Sequence, residues 1–225
     1  PAADGKRDCD VCLVGSEMCI RDRHCLNCGG MVAIHAIGDL ACRRVIDLFA
    51  SLDIPNGAGR IEHASVIDPD DVRRMAELGI VGCVQPAFLG SESEWLADRL
   101  GDERMPKAYP FASMNRAGVT LAAGSDSPVE PPDPWSGMAL ARDRNGIVPE
   151  EGLDAAEALD LFTSGAAAAL GESPPMVAGS PADLIVVDRD PITSTPDELR
   201  GTRVHHVFVG GEEVAIDHSL RNWVD

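Results

Sequence analysis

Aromatic residues and lysine are scarce in this chain of 225 residues. Aromatic side chains make up 4% of the sequence, so a hydrophobic core must be built mainly from alanine, valine, leucine and isoleucine. Lys6 and Lys107 are the only lysines, and 37 acidic residues outnumber 19 basic ones, which gives a formal net charge of -18. Because this charge repels polyanions at long range, the composition argues against a nucleic-acid partner and against an anionic membrane surface.

Long apolar segments are also missing. No apolar run approaches the roughly 20 residues that cross a bilayer, and the N-terminus lacks the basic-then-apolar pattern of a secretory signal. Hydrophobic residues (44%) and charged residues (25%) occur in the proportions of soluble domains, which argues against wholesale disorder. We therefore expect a soluble, cytoplasmic protein. The chain begins at Pro1 and not at a methionine, so this expectation concerns only the residues given.

The first 30 residues differ in composition from the rest. They contain five of the seven cysteines: Cys9, Cys12, Cys19, Cys25 and Cys28. Two Cys-x-x-Cys pairs are separated by twelve residues, which is close to the spacing of a zinc ribbon. Residues 12–23, however, closely resemble a translated sequencing-adaptor string that recurs at the ends of metagenomic gene fragments. We interpret residues 1–30 as an artefactual or disordered leader, with a zinc-ribbon interaction module fused to an α/β domain as the alternative.

From about residue 31, apolar runs alternate with amphipathic stretches, as a parallel βαβ architecture requires. Strands are predicted at residues 31–34, 60–62, 80–84 and 119–122. Helices are predicted at residues 38–52, 68–78, 92–100, 109–117, 135–144 and 154–170, the first of them capped by Asp39. After Gly171 the pattern predicts a small antiparallel β-domain, with strands at 183–188, 203–209 and 213–216 and a turn at Gly210-Gly211.

Potential metal ligands follow three of the four predicted parallel strands. His35 follows the first strand, His63 the second and Asp126 the fourth. The carboxyl ends of parallel barrel strands face the active site, so we expect these side chains to converge. Two imidazoles and a carboxylate form a donor set that suits zinc. A single histidine at a strand end is more often a structural residue than a ligand, and Asp126 alone is also typical of a turn aspartate, but the recurrence of all three at strand ends favours a metal site.

Several motifs occur in a characteristic order: His35-Ala36-Ile37-Gly38-Asp39, Ile61-Glu62-His63, Gln85-Pro86 and Gly124-Ser125-Asp126-Ser127-Pro128-Val129. Together they resemble the second half of the amidohydrolase superfamily, specifically the amidohydrolase-3 branch that includes N-substituted formamide deformylases. Glu157-Ala158-Leu159 with Thr163, and then Gly179-Ser180-Pro181-Ala182-Asp183-Leu184, resemble the last barrel helix and the start of that family's small β-domain. The resemblance covers about residues 31–216.

The resemblance implies an α/β fold in which residues 31–172 form the C-terminal half of a (β/α)8 TIM barrel, strands five to eight. Residues 173–225 would form part of a small β-sandwich domain. It also implies that His35, His63 and Asp126 bind one or two divalent metal ions, with Zn²⁺ the expected ion. The family's His-x-His pair of strand one and its carboxylated lysine or glutamate of strand four have no counterpart in this chain.

The function implied is hydrolysis of a C–N bond in a small amide or formamide substrate. A bound metal lowers the pKa of a water molecule and polarises the substrate carbonyl. Asp126 would carry the proton from that water to the leaving nitrogen, and His63 is a candidate both for metal binding and for polarising the carbonyl. The alternative is a catalytically inactive fragment or binding remnant, because four strands cannot close an eight-stranded barrel. Neither the exact substrate nor the oligomeric state follows from the sequence.

Other candidate residues are weaker. His205 and His206 lie on a predicted strand, where alternation directs their rings to opposite faces, so we interpret them as surface or interface residues. Cys83 lies in an apolar strand and is expected to belong to the core and not to act as a nucleophile. Trp95 and Trp135 are expected to cover the loops as amphipathic side chains.

Overall fold

The structure is a computed structural model that describes residues 24–26 and 28–216. Most of the predicted leader, including Cys9, Cys12 and Cys19, lies outside these residues, as does the end of the predicted β-domain segment. Among the described residues, no helix is long and apolar enough to cross a membrane.

A parallel sheet forms the centre of the described chain. Its strands are β1 (Val32–Ala36), β2 (Gly59–His63), β3 (Val81–Val84) and β4 (Leu121–Ala123), and they lie side by side in chain order. Each strand is joined to its neighbour through a helical segment, as parallel pairing requires. The predicted parallel α/β architecture is confirmed, with strand bounds that differ from the predicted ones by one or two residues.

Helices occupy most of the connections. In chain order they are α1 (Asp39–Leu52), α2 (Pro69–Glu77), α3 (Phe88–Ser91), α4 (Leu96–Arg104), α5 (Phe111–Ala117), α6 (Pro134–Asp143), α7 (Ala155–Phe162), α8 (Ser164–Leu170) and α9 (Pro196–Arg200). The start of α2 follows directly from its sequence: Pro69 occupies the first turn, where its missing N–H is not needed, and Asp70 and Asp71 face the positive end of the helix dipole.

Three helix predictions need correction. The helix predicted at residues 92–100 begins at Leu96 and ends at Arg104. Residues 154–170 form two helices instead of one, because Thr163 leaves the helical region (φ -124°, ψ -93°) and its hydroxyl donates to the Leu159 carbonyl. Asp39 does not cap α1. Gly38 occupies the N-cap position, while Asp39 lies in the first turn and its carboxylate accepts a hydrogen bond from the Leu40 N–H.

The two faces of the parallel sheet differ. Val32, Ile34 and Ala36 of β1 are buried, whereas His35 between them is exposed, which is the period-two alternation of a strand with one covered face. The buried face packs against helix residues such as Phe49 of α1 in the main hydrophobic core. The opposite face borders the cavity that contains the candidate site.

A second, antiparallel sheet follows. It consists of β5 (Leu184–Val187), β6 (Val204–Val209) and β7 (Glu212–Val214), within a few residues of the predicted positions. Gly210 and Gly211 connect β6 to β7, and both have positive φ (60° and 83°), as a tight primed hairpin turn requires. This sheet is poorly covered, because Ile185 and Val209 are 48% and 56% exposed.

Candidate functional site

His35, His63 and Asp126 border a single cavity of about 590 Å³. His35 is the fourth residue of β1, His63 is the last residue of β2, and Asp126 lies three residues beyond the end of β4. The cavity therefore opens at the carboxyl ends of the parallel strands, on the sheet face opposite the main core, where Ala166, Ala169 and Leu170 of α8 form part of its wall. The three side chains that the sequence predicts to converge do meet at this cavity, and their roles as metal ligands stay a prediction.

The two histidines are in direct contact. Their ring centroids are 4.5 Å apart, and the ring planes meet at 76° in an edge-to-face arrangement. His35 is exposed on the strand, but partial desolvation of its ring beside the cavity wall lowers its pKa below the usual 6.5, and the nearby His63 lowers it further, while the charges of Asp126 and Glu62 act in the opposite direction. His35 is therefore a neutral imidazole at neutral pH, with a nitrogen lone pair available to a ligand.

His63 reaches the cavity through an unusual backbone conformation. In the strand register it lies opposite Ala36, whose side chain belongs to the buried face of the sheet. His63 and Ala64 have φ values of 79° and 47°, in the left-handed region that residues other than glycine rarely adopt. Such residues cost of order 1–3 kcal/mol each and persist where the surroundings hold them. This turn at the strand end brings the His63 ring beside His35.

Gln85 is a site residue that the sequence analysis included only as part of a family motif. It directly follows β3, is 4% exposed and lines the same cavity. Its Oε1 lies 2.8 Å from His63 Nδ1, and its Nε2 donates to the Cys83 carbonyl at 3.1 Å. The rule that selected His35 and His63, a polar side chain at a parallel strand end, would have selected Gln85 if amide side chains had been considered.

Phe88 supports the other side of this arrangement. Phe88 is the first residue of α3. Its ring stacks on the His63 ring, with ring centroids 6.1 Å apart and ring planes 14° from parallel. Its side chain is 9% exposed and belongs to the main core. The His63 ring is thus fixed on one edge by a hydrogen bond and on one face by an aromatic ring.

Asp126 lies in a loop that is shaped by local hydrogen bonds. The Ser127 N–H donates to Ser125 Oγ at 3.3 Å, and the Val129 N–H donates to the Asp126 carbonyl at 2.9 Å. Asp126 itself has φ 55°, and its side chain is exposed. The carboxylate is near enough to His35 to act on the pKa of that imidazole, so it shares the electrostatic environment of the two histidines.

Further along the cavity wall lie an ion pair and a thiol. Arg60 Nε is 2.7 Å from Glu62 Oε1, and Arg60 Nη1 donates to the Ala169 carbonyl of α8 at 2.9 Å. Burial, followed by the charge of Glu62, raises the pKa of the Cys83 thiol to about 11. Because the thiolate is the nucleophilic form, a thiol that stays protonated at neutral pH is a poor nucleophile, in keeping with the core role expected for Cys83.

The donor set fits part of a divalent-metal site. Two adjacent imidazoles and a carboxylate on one cavity are the side chains that zinc prefers. Within residues 24–26 and 28–216, however, no group of three or more His, Cys, Asp or Glu side chains is arranged to hold a metal ion. The described residues therefore supply suitable ligand types without closing a site.

The weaker candidates lie elsewhere. His205 and His206 are exposed on β6, and His206 Nδ1 is 2.6 Å from Glu213 Oε1. Trp95 is 42% exposed, whereas Trp135 packs against the main core. None of these residues is among the described residues that line the cavity of His35 and His63.

Comparison with known proteins identifies relatives over most of the chain. The model of the amidohydrolase family matches residues 26–215. The Bacillus subtilis (strain 168) protein YtcJ is 33% identical over 198 residues, which cover 83% of this chain and 37% of that protein. N-substituted formamide deformylase from Arthrobacter pascens is 32% identical over 192 residues, which cover 80% of this chain and 35% of that enzyme.

Among solved structures, an uncharacterized metal-dependent hydrolase from Pyrococcus horikoshii OT3 shares 33% sequence identity with a TM-score of 0.71. The match covers 80% of this chain and 38% of that one. The chain thus spans little more than a third of the length of each of these three relatives. Since the family model matches well over half of the chain, the chain belongs to the amidohydrolase family.

Proposed function

We propose that the chain supplies the later part of the active site of a metal-dependent hydrolase that cleaves a C–N bond in a small amide or formamide substrate. One observation carries this proposal. Two imidazoles with ring centroids 4.5 Å apart, those of His35 and His63, border a cavity together with the carboxylate of Asp126 at the ends of parallel strands. The relative named N-substituted formamide deformylase supports the substrate class.

In this proposal, β1 to β4 correspond to strands five to eight of a (β/α)8 barrel over residues 31–172. The antiparallel strands would form part of a small β-sandwich domain over residues 173–225. Support comes from the parallel strands in chain order, from the exposed sheet face that carries His35, and from the chain's coverage of about a third of its relatives' length. Strands outside this chain would supply the remaining ligands.

His35, His63 and Asp126 are the side chains that would hold one or two divalent ions, with Zn²⁺ the first candidate. A metal bound there supplies Lewis acidity, which lowers the pKa of water and polarises a carbonyl. Asp126 acts as the general base and then the general acid: its exposed carboxylate accepts a proton from the attacking water and returns it to the leaving nitrogen. A cavity of about 590 Å³ suits a small-molecule substrate.

Metal titration of the purified 225-residue chain tests this proposal. Co²⁺ is a suitable probe because its visible absorption reports the type and number of its ligands. We expect His35→Ala to weaken Co²⁺ binding and to change the spectrum, and we expect His206→Ala to leave both unchanged. Equal binding by the two variants would rule out the proposed site.

The same titration separates the zinc-ribbon alternative. A chain with Cys25→Ser and Cys28→Ser retains His35 and His63, so the proposal expects its Co²⁺ binding at the histidine site to persist. Loss of all bound metal in that chain, together with intense thiolate-to-metal absorption in the parent chain, would favour the ribbon.

The proposed partial barrel also predicts that this chain alone does not hydrolyse amides. Its described residues form no group of three or more His, Cys, Asp or Glu side chains that could hold an ion. Incubation of the metal-loaded chain with N-substituted formamides should release no amine above the rate in buffer. Metal-dependent turnover by the 225-residue chain would contradict the fragment interpretation.

A further inference from the structure

We propose that Gln85 is a positioning residue that holds the His63 imidazole in its Nδ1–H tautomer, so that the lone pair of Nε2 is free for a ligand. The tautomer follows from this chain's own hydrogen bonds. Its consequence for catalysis rests on the proposed function, because it concerns how His63 would meet a metal ion.

The hydrogen bonds of Gln85 fix which end of its amide faces His63. The amide Nε2 lies 3.1 Å from the Cys83 carbonyl oxygen, which accepts hydrogen bonds and cannot donate them. That end must therefore be the NH₂ group, and the end that lies 2.8 Å from His63 Nδ1 is the oxygen. An oxygen acceptor requires Nδ1 to carry the proton, which leaves Nε2 unprotonated in the neutral ring.

Burial makes this hydrogen bond selective. His63 and Gln85 are 7% and 4% exposed, so bulk water does not compete for Nδ1, and the buried donor has no better partner than the glutamine oxygen. Phe88 stacks on the ring and opposes its rotation out of the plane of the hydrogen bond. A ring flip that exchanged Nδ1 for a carbon would leave a buried amide oxygen without a donor.

The uncharged character of the partner matters. A carboxylate beside an imidazole favours the protonated ring, in which both nitrogens carry protons and neither has a lone pair. The exposed pair of His206 and Glu213 has this type of partner, with 2.6 Å between Nδ1 and Oε1. Gln85 offers the same acceptor geometry without the negative charge, so its oxygen selects which ring nitrogen of His63 carries the proton.

This assignment decides between the two roles that His63 can play. An unprotonated Nε2 can donate its lone pair to a metal ion, but it has no proton to donate to a substrate carbonyl. Gln85 therefore favours metal binding over carbonyl polarisation as the role of His63. Hydrogen-bond partners behind metal-ligating histidines commonly have this function.

Nitrogen NMR of the full chain tests the tautomer directly. The histidine rings are labelled with ¹⁵N, and long-range ¹H–¹⁵N correlations are recorded without metal at pH 8, above the usual imidazole pKa of about 6.5. A His63→Gln chain identifies the His63 signals among the six histidines of the sequence. We expect His63 to show the Nδ1–H pattern, whereas a neutral imidazole free of such a partner has its proton mainly on Nε2.

Variants separate positioning from simple packing. Gln85→Met keeps the length and bulk of the side chain but removes the acceptor, so the His63 proton should move to Nε2. Gln85→Glu should keep the proton on Nδ1, because a carboxyl oxygen at this position is still an acceptor for the Nδ1–H group. The matched control is Glu213→Gln, which changes the partner of His206 and should leave the His63 signals unchanged.

An Nε2–H pattern for His63 in the unaltered chain overturns the proposal, and so does a Gln85→Met chain that retains the Nδ1–H pattern. If Gln85→Met does not fold, the unaltered chain and Gln85→Glu decide: Nδ1–H in both supports the proposal, and Nε2–H in either contradicts it. Addition of Zn²⁺ tests the proposed function separately. A His63 that keeps its tautomer but does not respond to Zn²⁺ leaves the role of Gln85 intact and contradicts the metal site.

Discussion

The parallel sheet and the antiparallel sheet each carry two histidines, in contrasting surroundings. His35 and His63 are 28 positions apart in the sequence, yet they lie on adjacent strands with ring centroids at 4.5 Å. His205 and His206 are consecutive on β6, where both are exposed and alternation separates their rings. Residues distant in the sequence thus meet at neighbouring strand ends, because the carboxyl ends of parallel strands lie at the same edge of the sheet.

The two sheets also differ in how firmly they are packed. Ile61 of β2 is fully buried in the main core, whereas Ile185 of β5 is 48% exposed. Close packing around a buried strand restricts its side chains to well-defined positions, whereas the side chains of a poorly covered strand are less restricted. The histidines of the parallel sheet therefore stand on the more rigid support.

The largest expected effect is on stability. The same substitution in each sheet measures the difference in packing between the two sheets. Ile61→Ala should lower the free energy of unfolding by about 2–5 kcal/mol, because it leaves a cavity in the core. Ile185→Ala should lower it by less than about 1 kcal/mol, the span of strand propensity. Urea denaturation of both variants provides the measurement. Similar losses would mean that the antiparallel sheet is as well covered as the parallel one.

The next largest effect concerns metal affinity. Loss of a hydrogen-bond partner of a metal-binding histidine weakens metal affinity by about 10- to 100-fold. His63→Ala removes the proposed ligand itself, so it should weaken Zn²⁺ binding by more than that. His206→Ala is the matched control and should leave the affinity unchanged. Isothermal titration calorimetry at pH 8 compares the two. If His206→Ala weakened Zn²⁺ binding more than His63→Ala, the metal site would have to be assigned to the antiparallel sheet.

A smaller loss is expected from Gln85→Met, which leaves both imidazoles in place. If Gln85 orients His63, Zn²⁺ affinity should fall by about 10- to 100-fold, and Gln85→Glu should recover most of the loss. The comparison uses the same calorimetric conditions as the histidine variants. An unchanged affinity in a folded Gln85→Met chain would mean that the His63 tautomer does not limit metal binding.

Much of the parallel region could be predicted from the sequence, because its signals are local. Short apolar runs predict three of the four strands, His35 and His63 come directly after their predicted strands, and Asp126 follows the last strand after a short turn. The conformation of His63 could not be predicted. Strand alternation assigns it to the same face as Ala36, whereas its positive φ turns it toward the cavity, where its ring contacts Gln85 and Phe88, which are both distant from it in the sequence.

The break between α7 and α8 could not be predicted either, because it also depends on a contact between distant parts of the chain. The alanine-rich segment has high helix propensity throughout, so local preference predicts one helix. In the fold, α8 approaches β4 so closely that a Cβ added to Gly165 would lie 1.9 Å from the Leu121 carbonyl oxygen. The change of direction at Thr163 accompanies this tertiary contact, which no spacing of apolar residues encodes.

The smallest expected effect returns to the histidine of the antiparallel sheet. His206 and Glu213 are 53% and 57% exposed, and exposed ion pairs contribute at most about 1 kcal/mol and often much less. Glu213→Gln should therefore change the free energy of unfolding by less than about 0.5 kcal/mol, and less still at high salt. Urea denaturation in low and high salt measures both. A larger loss that persists at high salt would mean that His206 is held as tightly as His63. The difference in solvent exposure between the two histidines would then not explain why His63 borders the candidate site and His206 does not.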